Sequence, residues 1–289
     1  MSIRGRVAIV TGAGGGLGRA HAMYLASKGA RLVVNDLSDD AAAKVVDAIV
    51  TAGGEAIGAA GSVTDEAAVS EMVAATLARW GRVDVLVNNA GILRDKSFAK
   101  MSIADFRAVI DVHLMGAAVC CKAVWEPMRE ARFGRIVMTT SSSGLYGNFG
   151  QANYAAAKMA LVGLMQTLAI EGEKYGIRVN CLAPTAATGM TEGVLPPESL
   201  ALLDPALVSP ALLALVEDDA PTRAILCAGA GHFAAAHVTL TAGLQAPRDD
   251  AGEHVIAHWP ALVDRTGEIV PAYGFVQAER EVAAASAQA

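Results

Sequence analysis

Val7-Ala8-Ile9-Val10-Thr11-Gly12-Ala13-Gly14-Gly15-Gly16-Leu17-Gly18 is the stretch that decides the fold. The apolar run reads as a strand buried on both faces, as in a parallel sheet. The glycine run after it reads as a tight turn into a helix that begins near Leu17. Glycines in such a strand–loop–helix unit let the backbone turn sharply and approach a pyrophosphate. The free N–H groups and positive dipole end of the helix favour the anion. The spacing is GxxxGxG, anchored by Gly12, Gly16 and Gly18, with Gly14 and Leu17 inside the loop. The commoner GxGxxG does not fit, because Leu17 takes the sixth place. A glycine loop taken alone also admits a purely structural turn.

Outward from that unit, short apolar runs alternate with longer helical stretches. Val7–Thr11, Arg31–Asn35, Glu55–Ala59, Val83–Asn88, Arg135–Thr140 and Ile177–Leu182 read as strands. Leu17–Lys28, Asp39–Ala52, Asp65–Trp80, Ile103–Glu126 and Tyr154–Tyr175 read as helices. This alternation, with right-handed crossovers, predicts an α/β fold: a doubly wound, Rossmann-like parallel sheet with helices on both faces. Ser102 followed by Asp105 is a capping-box signature, and Pro127 marks the expected end of that helix. Gly176 is the expected cap of the next. Both helices are apolar around much of their circumference, as Met115-Gly116-Ala117-Ala118-Val119 shows. The sheet covers one side only, so a homodimer or homotetramer interface is expected on the other, burial under the chain's own tail being the alternative.

After Leu182 the alternation fails. Residues 189–221 carry Pro196, Pro197, Pro205, Pro210 and Pro221 among many leucines and read as a long apolar loop with short helices. Ala224–Ala228 reads as the last strand of the core. From Ala224 to Pro247 there is no Asp, Glu, Lys or Arg, which is long enough for a membrane span. Gly229, Gly231, Gly243, His232, His237 and Gln245 interrupt it, so it reads as a strand, a glycine turn and another extended segment. The expected organisation is one dinucleotide-binding domain over residues 1–242, with the apolar loop inside it, and an extension over 243–289 packed on the core.

Asp36 ends the second strand, 24 positions after Gly12. A carboxylate there accepts both ribose hydroxyls of an adenosine and repels a 2′-phosphate, and the glycine loop carries no basic residue. The cofactor expected is therefore NAD rather than NADP, the alternative being that Asp36 only caps the next helix. Tyr154 and Lys158 are one helical turn apart and share a face. A phenol titrates near 10 and needs a neighbouring cation to work as an acid–base group at neutral pH. Lys158 and a cationic nicotinamide would supply that charge. Ser141, at the end of the fifth strand, lies where strand C-termini line the ligand crevice, and its hydroxyl is placed to hold a substrate oxygen.

Together these residues resemble the short-chain dehydrogenase/reductase family. TGAGGGLG, Asn88-Asn89-Ala90-Gly91, Ser141 and Tyr154-Ala-Ala-Ala-Lys158 carry the resemblance, which covers about Arg4 to Gly231. It implies hydride transfer between a nicotinamide and a carbonyl or secondary alcohol. Tyr154 would be the acid/base, Lys158 its activator and ribose ligand, and Ser141 the substrate-orienting group. Asn89, Ala90 and Gly91 would lie against the adenosine side, Ser62 and Val63 against the adenine, and Ala186 and Thr188 near the nicotinamide. Two positions depart from the family pattern. His113 stands where an Asn usually anchors a proton relay, and is open to a relay role or to core packing. Pro184-Thr185 replaces the usual Pro-Gly. Asn-Asn-Ala-Gly-Ile-Leu-Arg-Asp, Leu145 to Tyr154 and Leu168-Ala-Ile-Glu-Gly are similar to the dehydrogenase part of type 2 peroxisomal multifunctional enzymes, also known as 17β-hydroxysteroid dehydrogenases of type 4. That likeness implies oxidation of a (3R)-hydroxyacyl-CoA or a 17β-hydroxysteroid, by a chain without the hydratase and sterol-carrier parts. A reductase of another ketone, acyl-carrier or xenobiotic, and a non-catalytic dinucleotide-binding protein are the alternatives.

Composition fits this reading. The chain has 289 residues, 53% of them hydrophobic and 18% charged, which excludes a disordered or fibrous chain. With a formal net charge of −6, a nucleic-acid partner is not expected. The leucine-rich 189–221 loop points instead to a bulky apolar alcohol or ketone, ordinary core packing of the loop being the alternative. Cys120, Cys121, Cys181 and Cys227 form no CxxC pair, so reduced thiols, no metal and a cytoplasmic location are expected. No membrane association is expected.

Overall fold

The computed structural model describes residues 3–189, 196–247 and 249–287. Contacts divide the chain into two compact units, Met1–Ala235 and Ala236–Ala289. The boundary falls seven residues before the expected 242/243 division.

The first unit opens with β1 (Val7–Val10), α1 (Gly16–Ser27), β2 (Arg31–Asp36), α2 (Asp39–Thr51), β3 (Glu55–Ala60), α3 (Glu66–Trp80) and β4 (Val85–Asn88). Helix ends follow ordinary capping chemistry: Ser38 Oγ accepts from Ala41 N–H at α2, and the Asp65 carboxylate from Ala67 and Ala68 at α3. Next come α4 (Ile103–Ile110), a π-helical turn Asp111–Met115 and α5 (Gly116–Ala131). The capping box at Ser102 forms, its hydroxyl accepting from Asp105 N–H at 3.0 Å. The helix does not stop at Pro127 but runs to Ala131 and ends on Arg132 at φ 54°. The proline forfeits one backbone hydrogen bond. Fully buried Val124 and Met128 on either side of it hold the helix to the core and outweigh that loss.

β5 (Gly134–Thr139), α6 (Ser142–Tyr146), α7 (Ala152–Gly172) and β6 (Ile177–Thr185) follow. The chain then forms α8 (Pro197–Leu200), α9 (Ser209–Val216), β7 (Ile225–Gly229) and β8 (His232–Ala236). All strands share one sheet, in the order β3-β2-β1-β4-β5-β6-β7-β8. The ladders from β3 across to β7 are parallel, as the alternation predicts. β8 is the extended segment expected after the glycine turn. It returns through Ala230 and Gly231, at φ 51° and 75°, the left-handed pair that a two-residue hairpin requires.

Burial alternates between the two faces of the sheet. Ala8, Val10, Leu32, Val34, Val85 and Val87 join Leu25, Val45 and Ile49 of the helices in one core. α9 belongs to that core through Leu212, Leu215 and Val216. A buried contact at 2.9 Å between His21 Nδ1 and Ser209 Oγ pins α9 to α1. The Ser209–Val216 part of the expected substrate loop is therefore a structural helix. The stretch Ile103–Ala131 is long and apolar enough to cross a membrane. Here Val109, His113, Ala117, Cys120, Val124 and Met128 line its buried side, as in a core helix. Ile103 and Met115 remain exposed on it, as do Met159 and Ile170 on α7.

The second unit contains α10 (Ala251–Ala257), α11 (Trp259–Leu262) and α12 (Phe275–Ser286), with an antiparallel bridge between Leu240 and Ile269. None of its described residues is buried. Ile256, Trp259, Phe275 and Val282 are each more than half exposed.

Candidate active site

The strand order reverses between β1 and β4, since β2 lies on the other side of β1. A crevice forms at the carboxyl ends of the strands at such a switch point. Here it is a cavity of about 640 Å³. Gly12, Gly16, Leu17 and Gly18 line one end of it, as expected, and Gly15 joins them. A Cβ on Gly18 would lie 2.2 Å from the Gly12 carbonyl oxygen, so only glycine allows this turn. At Gly15 a Cβ would meet nothing within 4 Å. Gly14 is not on the wall. Its N–H donates to Asp36 Oδ2 at 2.9 Å and so fixes the carboxylate instead.

Asp36, Ser62 and Val63 continue that end of the cavity. Ser38, not Asp36, caps α2, while Asp36 Oδ1 accepts from Ser38 N–H at 3.2 Å and braces the turn before it. Asn89 Nδ2 donates to the Thr11 and Gly12 carbonyl oxygens at 3.0 and 3.1 Å. Thr11 Oγ1 in turn accepts from Asn89 and Ala90 N–H. The Asn-Asn-Ala-Gly segment thus holds the glycine loop in place, and Asn89, Ala90 and Gly91 face the cavity.

At the other end stand Ser141, Tyr154 and Lys158. Ser141 follows β5 and caps α6, while Tyr154 and Lys158 occupy successive turns of α7. Lys158 is fully enclosed. Its Nζ donates to the Thr139 carbonyl oxygen at 2.6 Å and lies 5.4 Å from the Tyr154 ring centre. Thr140 Oγ1 donates to the Lys158 carbonyl oxygen and fixes this turn of α7 against β5.

Burial lowers the Lys158 ammonium to about 7. Burial raises the Tyr154 phenol above its ordinary value, a hydrogen bond from Ser141 pulls it down, and the Asp95 carboxylate adds to the rise. The expected depression of the phenol is therefore not achieved by the chain's own groups. Desolvation of the phenolate is the dominant effect on this group.

His113 sits in the π-helical turn with its Nε2 2.9 Å from the Ile92 carbonyl oxygen. Its ring packs edge-on to Tyr154, with centres 5.3 Å apart. Burial, then the Lys158 charge, lowers it to about 3, so it is neutral at working pH. A Cβ on Gly91 would lie 2.3 Å from the imidazole Cε1, which explains the glycine there. His113 both lines the cavity and packs against Tyr154.

Lysine in the unfolded chain stays charged up to about 10.5, whereas the buried one is neutral above about 7. The cost of burying it is full below pH 7 and shrinks as pH rises between those values. Lys158→Met should therefore raise the melting temperature by about 5 °C near pH 6 and by less near pH 9. A melting temperature at or below wild type near pH 6 would contradict this.

The sequence pattern of the family described as short chain dehydrogenase matches residues 6–198, two-thirds of the chain. The chain belongs to the short-chain dehydrogenase family. The peroxisomal hydratase-dehydrogenase-epimerase of Saccharomyces cerevisiae is 44% identical over 277 residues, covering 91% of this chain and 31% of that one. Full-length peroxisomal multifunctional enzyme type 2 from Drosophila melanogaster superposes with a TM-score of 0.83 at 38% identity, over 98% of this chain and 49% of that one. A 7α-hydroxysteroid dehydrogenase solved with NADH and 7-oxo glycochenodeoxycholic acid gives 0.74 at 32% identity, over 80% and 95%. The chain thus spans about a third to a half of these two multifunctional relatives. The likeness to the dehydrogenase part of type 2 multifunctional enzymes holds.

This dehydrogenase presents walls that suit a nicotinamide dinucleotide. The glycine loop leaves open space at Gly15, and Thr139 Oγ1, on the cavity wall, is buried without a partner among the described residues. Ala186 and Thr188 line the cavity, as do Pro184 and Thr185. Among the described residues, none from 196 to 221 does. The expected cover by the leucine-rich loop thus fails for that part, and residues 190–195 lie outside the described residues. Ile92, Leu93, Val112, Ser143, Asn148 and Gln151 line the cavity and were not anticipated. They adjoin the recognised residues in sequence, but nothing in their residue types marks them until the fold brings them together.

Proposed function

We propose that this dehydrogenase uses NAD to oxidise the 3-hydroxyl of a hydroxyacyl-CoA. The observation that carries the reaction is the joint presence, on one cavity, of Asp36 at one end and Ser141, Tyr154 and Lys158 at the other. Among the described residues, Lys158 is the only lysine or arginine on the wall, so nothing near Asp36 offers a counter-charge for a 2′-phosphate. The bound nicotinamide supplies the hydride acceptor and a positive charge. Ser141 holds the alcohol oxygen, and Tyr154 takes its proton as the carbonyl forms. Lys158, held by Thr139, favours the phenolate. His113 keeps the Tyr154 ring upright.

Apolar Ile92, Leu93 and Val112 beside these polar groups suit an acyl chain. The relationship to the peroxisomal hydratase-dehydrogenase-epimerase supports a thioester. A 17β-hydroxysteroid is the second reading, supported by the likeness to a hydroxysteroid dehydrogenase. A panel of (3R)-hydroxyacyl-CoAs and 17β-hydroxysteroids with NAD separates them. The thioesters are expected to give a kcat/KM at least about tenfold higher. A steroid preference would overturn the first reading.

Ile103, Met115, Met159 and Ile170 are exposed apolar side chains on the two long helices, of the kind a second copy would cover. They support a homodimer or homotetramer. Sedimentation as a single chain at micromolar concentration would refute it.

A further inference from the structure

The segment between Ser141 and Tyr154 carries a polar relay that the proposed chemistry does not use. Gln151 Nε2 donates to Asp95 Oδ2 at 2.6 Å. A carboxylate only accepts, so the amide orientation is fixed: Nε2 faces Asp95 and Oε1 faces away. Oε1 then accepts from Ser143 Oγ at 2.8 Å and from Asn148 Nδ2 at 3.1 Å. Asn148 is oriented in turn, because only its N–H groups can meet a carbonyl oxygen. Ser143 is tied to the catalytic serine, its N–H donating to Ser141 Oγ at 3.2 Å. One carboxylate thus orients the Gln151 and Asn148 amides and the hydrogen bonds that meet at Gln151 Oε1. Among the described residues, Asn148 and Gln151 each keep a second amide N–H without a protein acceptor, and both residues line the cavity with Ser141 and Tyr154.

We propose that Asn148 and Gln151 form a subsite for a second, uncharged oxygen of the substrate, the thioester carbonyl two carbons from the reacting alcohol. It rests on the reading of the substrate as a 3-hydroxyacyl thioester. Amide donors with a carboxylate behind them accept a neutral carbonyl and disfavour an anion. An alcohol with no second oxygen leaves both donors to water. Asp95 is then a positioning residue acting through Gln151. The carbonyl is the same on CoA and on a carrier protein, and parallel assays with the two thioesters show which thiol the enzyme takes.

The test compares kcat/KM for 3-hydroxybutyryl-CoA with that for 2-pentanol in wild type, Asn148→Ala and Gln151→Leu. NAD binding in each variant confirms that the site is folded. The thioester-to-alkanol ratio is expected to fall about tenfold in each variant, the effect of one lost hydrogen bond to a neutral acceptor. If 2-pentanol is too slow to follow, a tenfold rise in the thioester KM with little change in kcat supports the subsite, and a fall in kcat alone overturns it. A ratio within twofold of wild type in both variants also overturns it. A wild-type enzyme that oxidises no 3-hydroxyacyl thioester would instead overturn the substrate reading itself.

Discussion

Tyr154→Phe is expected to lower kcat about a thousandfold or more while the dissociation constant for NAD changes less than about twofold. The substitution removes one hydroxyl and leaves a ring of the same shape against His113. Nothing else on the cavity wall can take the alcohol proton. His113 is held neutral at about 3 by burial and the Lys158 charge, and Ser141 is an unactivated hydroxyl. Lys158 titrates near 7 but is fully enclosed, with its Nζ on the Thr139 carbonyl. Residual activity within tenfold of wild type would show that the proton leaves by another route.

Asp36→Ala is expected to have the second largest effect, a loss of about a hundredfold in the preference for NAD over NADP. The carboxylate is fixed by Gly14 N–H on Oδ2 and Ser38 N–H on Oδ1, so it is aimed before any ligand arrives. Each oxygen keeps a lone pair for a ribose hydroxyl. Removing it takes away both the charge-assisted hydrogen bonds to NAD and the repulsion of a 2′-phosphate. Measured kcat/KM values with the two cofactors check this. A ratio unchanged within threefold would mean that Asp36 serves only to brace the glycine loop.

The architecture was legible because its signals are local. Each strand is a short apolar run and each crossover helix is punctuated by a cap or a glycine. The order of the sheet follows from handedness once those elements are placed. Pro127 was misread because a local penalty was weighed without the burial of Val124 and Met128 on either side of it. The Ser209–Val216 part of the loop after β6 was misread for a related reason. Leucines in a proline-broken segment look alike whether they face a substrate or, like Leu212 and Leu215, the interior. Periodicity carries no information about which.

The site divides in the same way. Glycines, the Tyr–Lys pair and the acid after the second strand announce themselves by type and spacing. Gly14 counts by spacing only as a member of the glycine loop, and its N–H proves to serve Asp36. The tyrosine's acidity depends on burial, which no spacing reveals. Asn148 and Gln151 acquire meaning only when Asp95, 56 positions before Gln151, is folded against them.

Alcohol oxidation with NAD is the reaction this cavity is proposed to perform. It is tested most directly by incubating the purified protein with NAD and a (3R)-hydroxyacyl-CoA, following reduced nicotinamide by absorbance while NAD binding is titrated in parallel. NADH and ketone are expected in equal amounts over many turnovers. NAD binding without NADH formation from any hydroxyacyl-CoA, hydroxysteroid or simple secondary alcohol would contradict it.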